Sequence, residues 1–167
     1  PVAERYPHAE LADLPTDVRE RIEAVQQKAG FVPNVFLKFA RRPAEFRAFF
    51  DYHDALMLKK GGLSKGEREM IVVATSAANQ CLYCVVAHGA ILRIYQKDPL
   101  IADQVAVNHR KAAITPRQRA MLDFALKVAT DSARLGEDAT WTTQPSASVA
   151  AVRIGSRFLL GRGSGVA

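Results

Sequence analysis

The sequence predicts an all-α fold, and three observations predict it. Apolar residues recur at three- and four-residue spacing along most of the chain. No segment alternates polar and apolar residues between turn signals, as a half-buried strand would. Two Ser/Thr-x-x-Glu/Gln signatures, Ser64-Lys65-Gly66-Glu67 and Thr115-Pro116-Arg117-Gln118, each open an apolar helical face. At 167 residues the chain fits one domain and can bury a core without disulfide or metal staples.

The elements follow in order. Val18, Ile22, Val25 and Ala29 define a first helix that stops at Gly30, and Phe31 to Asn34 reads as a turn. Pro43, a favoured first-turn residue, opens a second helix through Phe46, Phe49, Phe50, His53, Leu56 and Met57 to the Gly61-Gly62 stop. Its aromatic stripe is most simply core, with His53 a hydrogen-bonded member of it. The Ser64 capping box starts the next helix, with Met70, Val73, Ala74 and Ala77 on its apolar face. A further helix carries Cys84, Val85, His88, Ile91, Leu92 and Tyr95. A short one is expected at Asp98-Pro99, an N-cap followed by proline. The Thr115 box starts the last amphipathic helix, through Met121, Phe124, Ala125 and Val128. His109, beside Arg110 and Lys111, reads as an exposed loop residue.

Composition narrows the function classes. The net charge is +6, but basic residues cluster no further than pairs such as Arg41-Arg42 and Lys59-Lys60, and acids interleave them. A nucleic-acid partner, which needs a concentrated basic face, is not expected. No apolar stretch approaches the ~20 residues of a membrane span, and the N-terminal stretch has no basic start followed by an apolar run. A cytoplasmic protein with no membrane partner is therefore expected. Beyond Asp138 the composition changes: residues 139–167 hold three arginines and no Asp, Glu or Lys. The domain is accordingly placed at 1–138, with 139–167 an atypical, partly ordered tail.

Chemistry concentrates in Glu69-x11-Cys81-x2-Cys84-x3-His88, which includes the only two cysteines. In a reducing compartment such a pair is more readily catalytic or metal-binding than structural. On one helix Cys81, Cys84 and His88 share a face. Glu69 would then lie ~18 Å from Cys81 along the axis, so it joins them only if the helix breaks. Residues 76–80 offer the place, with Asn79 as the N-cap of a helix that folds back. A break there puts the dithiol at a helix N-terminus, where unpaired N–H groups favour a thiolate. With an ordinary thiol pKa near 8.5, only about 3% of a cysteine is ionised at pH 7, so a base such as His88 is needed as well. Zinc is the weaker alternative: Cys81, Cys84 and His88 supply three ligands, and no second Cys-x-x-Cys or paired-histidine motif supplies a fourth.

The segment GLSKGEREMIVVATSAANQCLYCVVAHGAILR, with GFVPNVF upstream and ITPRQRAMLDFALKVA downstream, resembles the AhpD-like alkylhydroperoxidase and carboxymuconolactone decarboxylase superfamily, in its peroxidase-related branch. The likeness covers roughly Gly30 to Arg134. It implies an all-α, homo-oligomeric helical bundle with the Cys-x-x-Cys at the N-terminal end of a core helix. It also implies a peroxidase in which Cys84 is the peroxidatic thiolate, Cys81 the resolving cysteine, His88 the relay base and Glu69 its carboxylate partner. A peroxide substrate and a dithiol reductant, lipoyl or thioredoxin-like, follow by the same likeness. No metal, flavin or nicotinamide cofactor is expected, and no glycine-rich phosphate fingerprint is found. The alternative is a redox-sensing dithiol protein without turnover; a lactone decarboxylase, whose branch does not depend on the dithiol, is expected less. Two departures stand out. Tyr83 occupies the place of a relay histidine between the cysteines, and the acid-free end replaces the acidic helical stretch usual in this branch. The latter resembles an out-of-frame reading of a GC-rich gene, a hypothesis that the coding DNA tests: no in-frame, family-like alternative downstream would dismiss it.

Overall fold

Pro15 sets the chain extended before Thr16, and the apolar spacing of Val18 and Ile22 then buries one face of α1 (Thr16–Ala29). The helix ends at Gly30, whose φ of 78° is the left-handed cap that glycine adopts without penalty. In the computed structural model, which describes residues 9–135, the described chain forms two compact units that divide between Lys59 and Lys60. The described residues hold seven α-helices, two single 3-10 turns and no strand, as an all-α sequence should. The atypical stretch at 139–167 lies outside the described residues.

In the first unit, α1 is followed by α2 (Asn34–Ala40) and α3 (Pro43–Met57). The sequence reading placed only a turn before Pro43, so α2 is a correction. It is seven residues long and apolar on more than one side, and aromatic stacking onto α3 holds it: Phe36 lies on Phe50 at 4.3 Å and Phe39 on Phe49 at 4.4 Å between centroids. The expected aromatic core is present, with Phe46 and Phe50 buried among Leu14, Val18, Ile22 and Ala40. His53 is only partly buried. Its Nδ1 lies 3.0 Å from Asp54, whose other carboxylate oxygen accepts from Arg21 at 2.8 Å.

The second unit is built on α4 (Lys65–Ala78), which packs against α5 (Leu82–Gln96), α6 (Ile101–Asn108) and α7 (Pro116–Thr130). Both anticipated capping boxes are formed. Ser64 Oγ accepts from the Glu67 amide while Glu67 accepts from the Ser64 amide, and Thr115 and Gln118 repeat the exchange. Arg117 on α7 pairs with the same buried Glu67, tying the starts of α4 and α7 together. Leu63, Met70, Val73, Leu92, Ile101, Val105, Met121 and Leu122 form the core.

One boundary and one burial differ from expectation. α6 begins at Ile101 rather than Pro99, because the Asp98 side chain accepts from the Leu100 amide at 2.8 Å and makes a turn first. His109 is not an exposed loop residue: its side chain is 14% exposed and its Nε2 lies 2.8 Å from Asp123 on α7.

Candidate active site

The site depends on how α4 ends. The last turn closes as a Schellman motif: the Gln80 amide donates to Ala77 O at 3.0 Å and the Cys81 amide to Ser76 O at 2.9 Å. Gln80 takes the left-handed conformation this requires, with φ 56°. Asn79 is therefore the C-cap of α4, not the N-cap of the next helix; its own amide and its side chain both donate to Thr75 O. The break was expected here. The N-cap of α5 is instead Cys81.

Reversal at Gln80 lays α5 back along α4. At the far end of the pair, the Gln96 side chain crosses Gly66 so closely that a Cβ there would stand 2.0 Å from Gln96 Nε2. Glu69 and His88, nineteen residues apart, are thereby brought into contact, with His88 Nδ1 2.8 Å from Glu69 Oε2. Glu69 is 5% exposed, whereas His88 is partly open to solvent. A buried carboxylate is tolerated only with such a partner, and a His held at Nδ1 has Nε2 left for other work.

Cys81 and Cys84 form a disulfide with Cα atoms 5.4 Å apart. As N-cap, Cys81 uses its sulfur where a serine oxygen would ordinarily serve: Sγ accepts from the Cys84 amide at 3.4 Å. Both cysteines are partly exposed, and Leu82 and Tyr83 between them face solvent. Cys84 lies one helical turn before His88, which places their side chains on one face of α5. Glu69 thus meets His88 across the α4–α5 pair, and Cys81 and Cys84 are bonded to each other at the start of α5. Among the described residues, no three His, Cys, Asp or Glu side chains are grouped to hold a metal ion.

What sequence reasoning missed is the backbone device. Nothing in Thr75-Ser76-Ala77-Ala78-Asn79-Gln80 marks a Schellman closure, because its usual glycine is absent. The arrangement can do two-electron thiol chemistry: a dithiol that cycles to a disulfide beside an imidazole held by a carboxylate.

The chain matches the Carboxymuconolactone decarboxylase family over residues 43–131. A crystal structure of an alkylhydroperoxidase AhpD core, an uncharacterized peroxidase-related protein from Ralstonia eutropha JMP134, is 70% identical to it. The match covers 90% of this chain and 75% of that one, with a TM-score of 0.76. An uncharacterized peroxidase-related protein from Silicibacter sp. TM1040 is 36% identical over 95% of this chain and 86% of its own, with a TM-score of 0.83. No curated protein matches the chain.

Proposed function

The chain belongs to the carboxymuconolactone decarboxylase family, in its AhpD-like, peroxidase-related branch, and from that premise we propose that it is a thiol-dependent hydroperoxidase. The observation that carries the reading is the contact of His88 with the buried Glu69 one turn from a bonded Cys81–Cys84 pair.

In the reduced protein His88 takes the proton of the Cys84 thiol, and Glu69 holds the imidazole and balances its charge. The Cys84 thiolate attacks one peroxide oxygen. The O–O bond breaks, Cys84 becomes a sulfenic acid, and the departing alkoxide or hydroxide takes the proton from His88 and leaves as alcohol or water. The Cys81 thiol then displaces hydroxide from that sulfur, giving the disulfide and one water. An external dithiol, of lipoyl or thioredoxin type, restores both thiols by two exchanges and leaves as its own disulfide. No metal or organic cofactor is required by these steps. We read the chain as a cytoplasmic homo-oligomer by family likeness; among the described residues no helix is long and apolar enough to cross a membrane.

One observation favours a second reading. Tyr83 stands between the cysteines, and its phenol lacks the paired donor and acceptor nitrogens with which an imidazole takes up one proton and passes on another. A dithiol that senses oxidants without sustained turnover fits that substitution. Steady-state peroxide consumption with a dithiol reductant separates the two. Turnover lost in both Cys84→Ser and Cys81→Ser is the expected result; reversible disulfide formation without turnover in the unmodified protein selects the sensor.

A further inference from the structure

The buried polar and charged residues among the described ones, Glu67, Arg68, Glu69 and Ser76, all lie on α4. Glu67 serves the capping box and Glu69 holds His88. Ser76 is 9% exposed, and its hydroxyl makes no hydrogen bond among the described residues, whereas its neighbour Thr75 turns its own hydroxyl back onto Ile71 O at 2.8 Å. A buried hydroxyl ordinarily has a partner, so what Ser76 faces decides what it does.

Helical register supplies the answer. Ser76 follows Glu69 by two turns and stands within about 20° of it around α4, so the stripe Glu69, Val73, Ser76 is the one turned toward α5. The stripe of α5 that meets it is His88, Cys84, Cys81, taken in the opposite direction because the chain reverses at Gln80. Glu69 on His88 fixes the register at one end, and the Cys81 amide on Ser76 O at 2.9 Å fixes it at the other. With both helices rising about 1.5 Å per residue, the fully buried Val73 comes level with Cys84, and Ser76 with Cys81.

We infer that Ser76 is a positioning residue for Cys81: in the reduced protein its hydroxyl donates to the Cys81 sulfur and holds that cysteine as a thiolate. In the disulfide this sulfur is a weak acceptor and takes the Cys84 amide at 3.4 Å. A thiolate carries a full charge, and donors to a charged acceptor form the stronger hydrogen bonds. Reduced Cys81 thus has two, the Cys84 amide at the helix N-terminus and the Ser76 hydroxyl. The titratable groups on the two facing helices near it are Glu69 on α4 and Tyr83, Cys84 and His88 on α5. The charged residue of α6, Asp103, is bonded to Arg93, and α7 packs on α4 through Ile71, half a turn around the helix from Glu69. Neither helix brings a cation to Cys81, so the hydroxyl and the amide carry its stabilisation.

The kinetic consequence rests on the peroxidase reading. Cys81 releases its proton to solvent in advance. Once Cys84 is a sulfenic acid, the Cys81 thiolate attacks its sulfur; the S–S bond forms, the S–O bond breaks, and the departing hydroxide takes a proton from solvent and leaves as water. A resolving sulfur already ionised closes the disulfide before a second peroxide carries Cys84 on to the sulfinic acid.

The first measurement needs no peroxide. In a Cys84→Ser background Cys81 is the one thiol, and its ionisation is followed by ultraviolet thiolate absorbance against pH. Ser76→Ala should raise the Cys81 pKa by about one pH unit, roughly the worth of a hydrogen bond to a charged group. Thr75→Ala, which removes a hydroxyl bonded elsewhere on the same turn, should leave it where it was. Alanine favours the helix, and circular dichroism verifies both folds. The second measurement is stopped-flow mixing of the chain carrying both cysteines with peroxide. Ser76→Ala should leave the oxidation of Cys84 unchanged and slow disulfide closure at pH 7 by roughly threefold, because the thiolate fraction falls up to about tenfold while the more basic thiolate regains about a factor of three in nucleophilicity. An unmoved Cys81 pKa in Ser76→Ala, or an equal shift in Thr75→Ala, would overturn the assignment whether or not the protein consumes peroxide. A slower first step with an unchanged second would also overturn it, by placing Ser76 on the other sulfur. A Cys81 shift in a protein that does not turn over peroxide upholds the role of Ser76 and rejects the peroxidase reading instead.

Discussion

Glu69 sits on a helix whose neighbouring Met70 and Val73 are core residues, and it is itself 5% exposed. An isolated carboxylate there would be costly, so its 2.8 Å contact with His88 sets both the position of the carboxylate and the direction of the imidazole. Glu69→Gln keeps the shape and a hydrogen bond but removes the charge that balances a protonated His88. On the peroxidase reading, kcat should fall by about ten- to a hundredfold, less than the ~10²–10⁴-fold carried by the general base itself, which His88→Ala measures. Unchanged kcat in Glu69→Gln, with the fold intact by circular dichroism, would remove Glu69 from the mechanism. Cys81 poses a different residue-scale question, because its sulfur holds the amide hydrogen bond while Cys84 is the sulfur one turn from His88. Trapping the sulfenic acid in each single mutant identifies the nucleophile, and labelling at Cys81 alone would reverse the proposed roles.

The elements that place these residues are short-range devices at helix ends. The Schellman closure of α4 forces Gln80 to a φ of 56°, a conformation that costs a residue with a Cβ about 1 kcal/mol. Gln80→Gly should therefore raise stability by roughly 0.5–1 kcal/mol in urea unfolding, less the extra entropy glycine gains in the unfolded chain. A loss of stability would show that the Gln80 side chain supports the turn in some other way. At the opposite end of α4, Ser64 caps the helix and Glu67 answers it while also pairing with Arg117. The amount of structure tied to this one box makes it a stronger fixture than a cap on an isolated helix.

At the scale of the whole molecule, each compact unit holds one aspartate between an arginine and a histidine. Asp54 lies between Arg21 and His53, and Asp123 between Arg110 and His109. Partial burial pushes both carboxyls up, but the hydrogen bonds and charges of these partners outweigh it and hold both below the ordinary carboxylate range. A carboxyl whose folded pKa is depressed stabilises the protein fully above its unfolded value, about 3.9. That contribution fades as pH falls through the lower folded value, because the unfolded chain then binds more protons. Asp54→Asn and Asp123→Asn should each be less stable than the unmodified protein at pH 7, with the gap closing toward pH 2–3. Both groups are more than a third exposed, so the effect is small and weakens in 0.5 M salt. A gap independent of pH would mean that the asparagines disturb packing rather than charge.

Local chemistry alone determined much of this protein. The two capping boxes, the Gly30 stop, the aromatic stripe of α3 and the shared helical face of Cys81, Cys84 and His88 are all written in residue types at fixed spacings, because caps and helical faces are set within a few residues, whereas Glu69 was singled out by the family resemblance. The need for a break between Glu69 and Cys81 was legible too, since helical rise forbids their meeting otherwise. Tertiary structure decided the rest. α2 exists because Phe36 and Phe39 find Phe50 and Phe49 across the unit, and His109 is covered because α7 brings it Asp123. The cap of α5 fell to Cys81 because Ser76 and Ala77 offered their carbonyls to the turn. Each of these outcomes depends on a partner distant in sequence or on a backbone hydrogen bond that no side-chain pattern records, so only the folded chain specifies it.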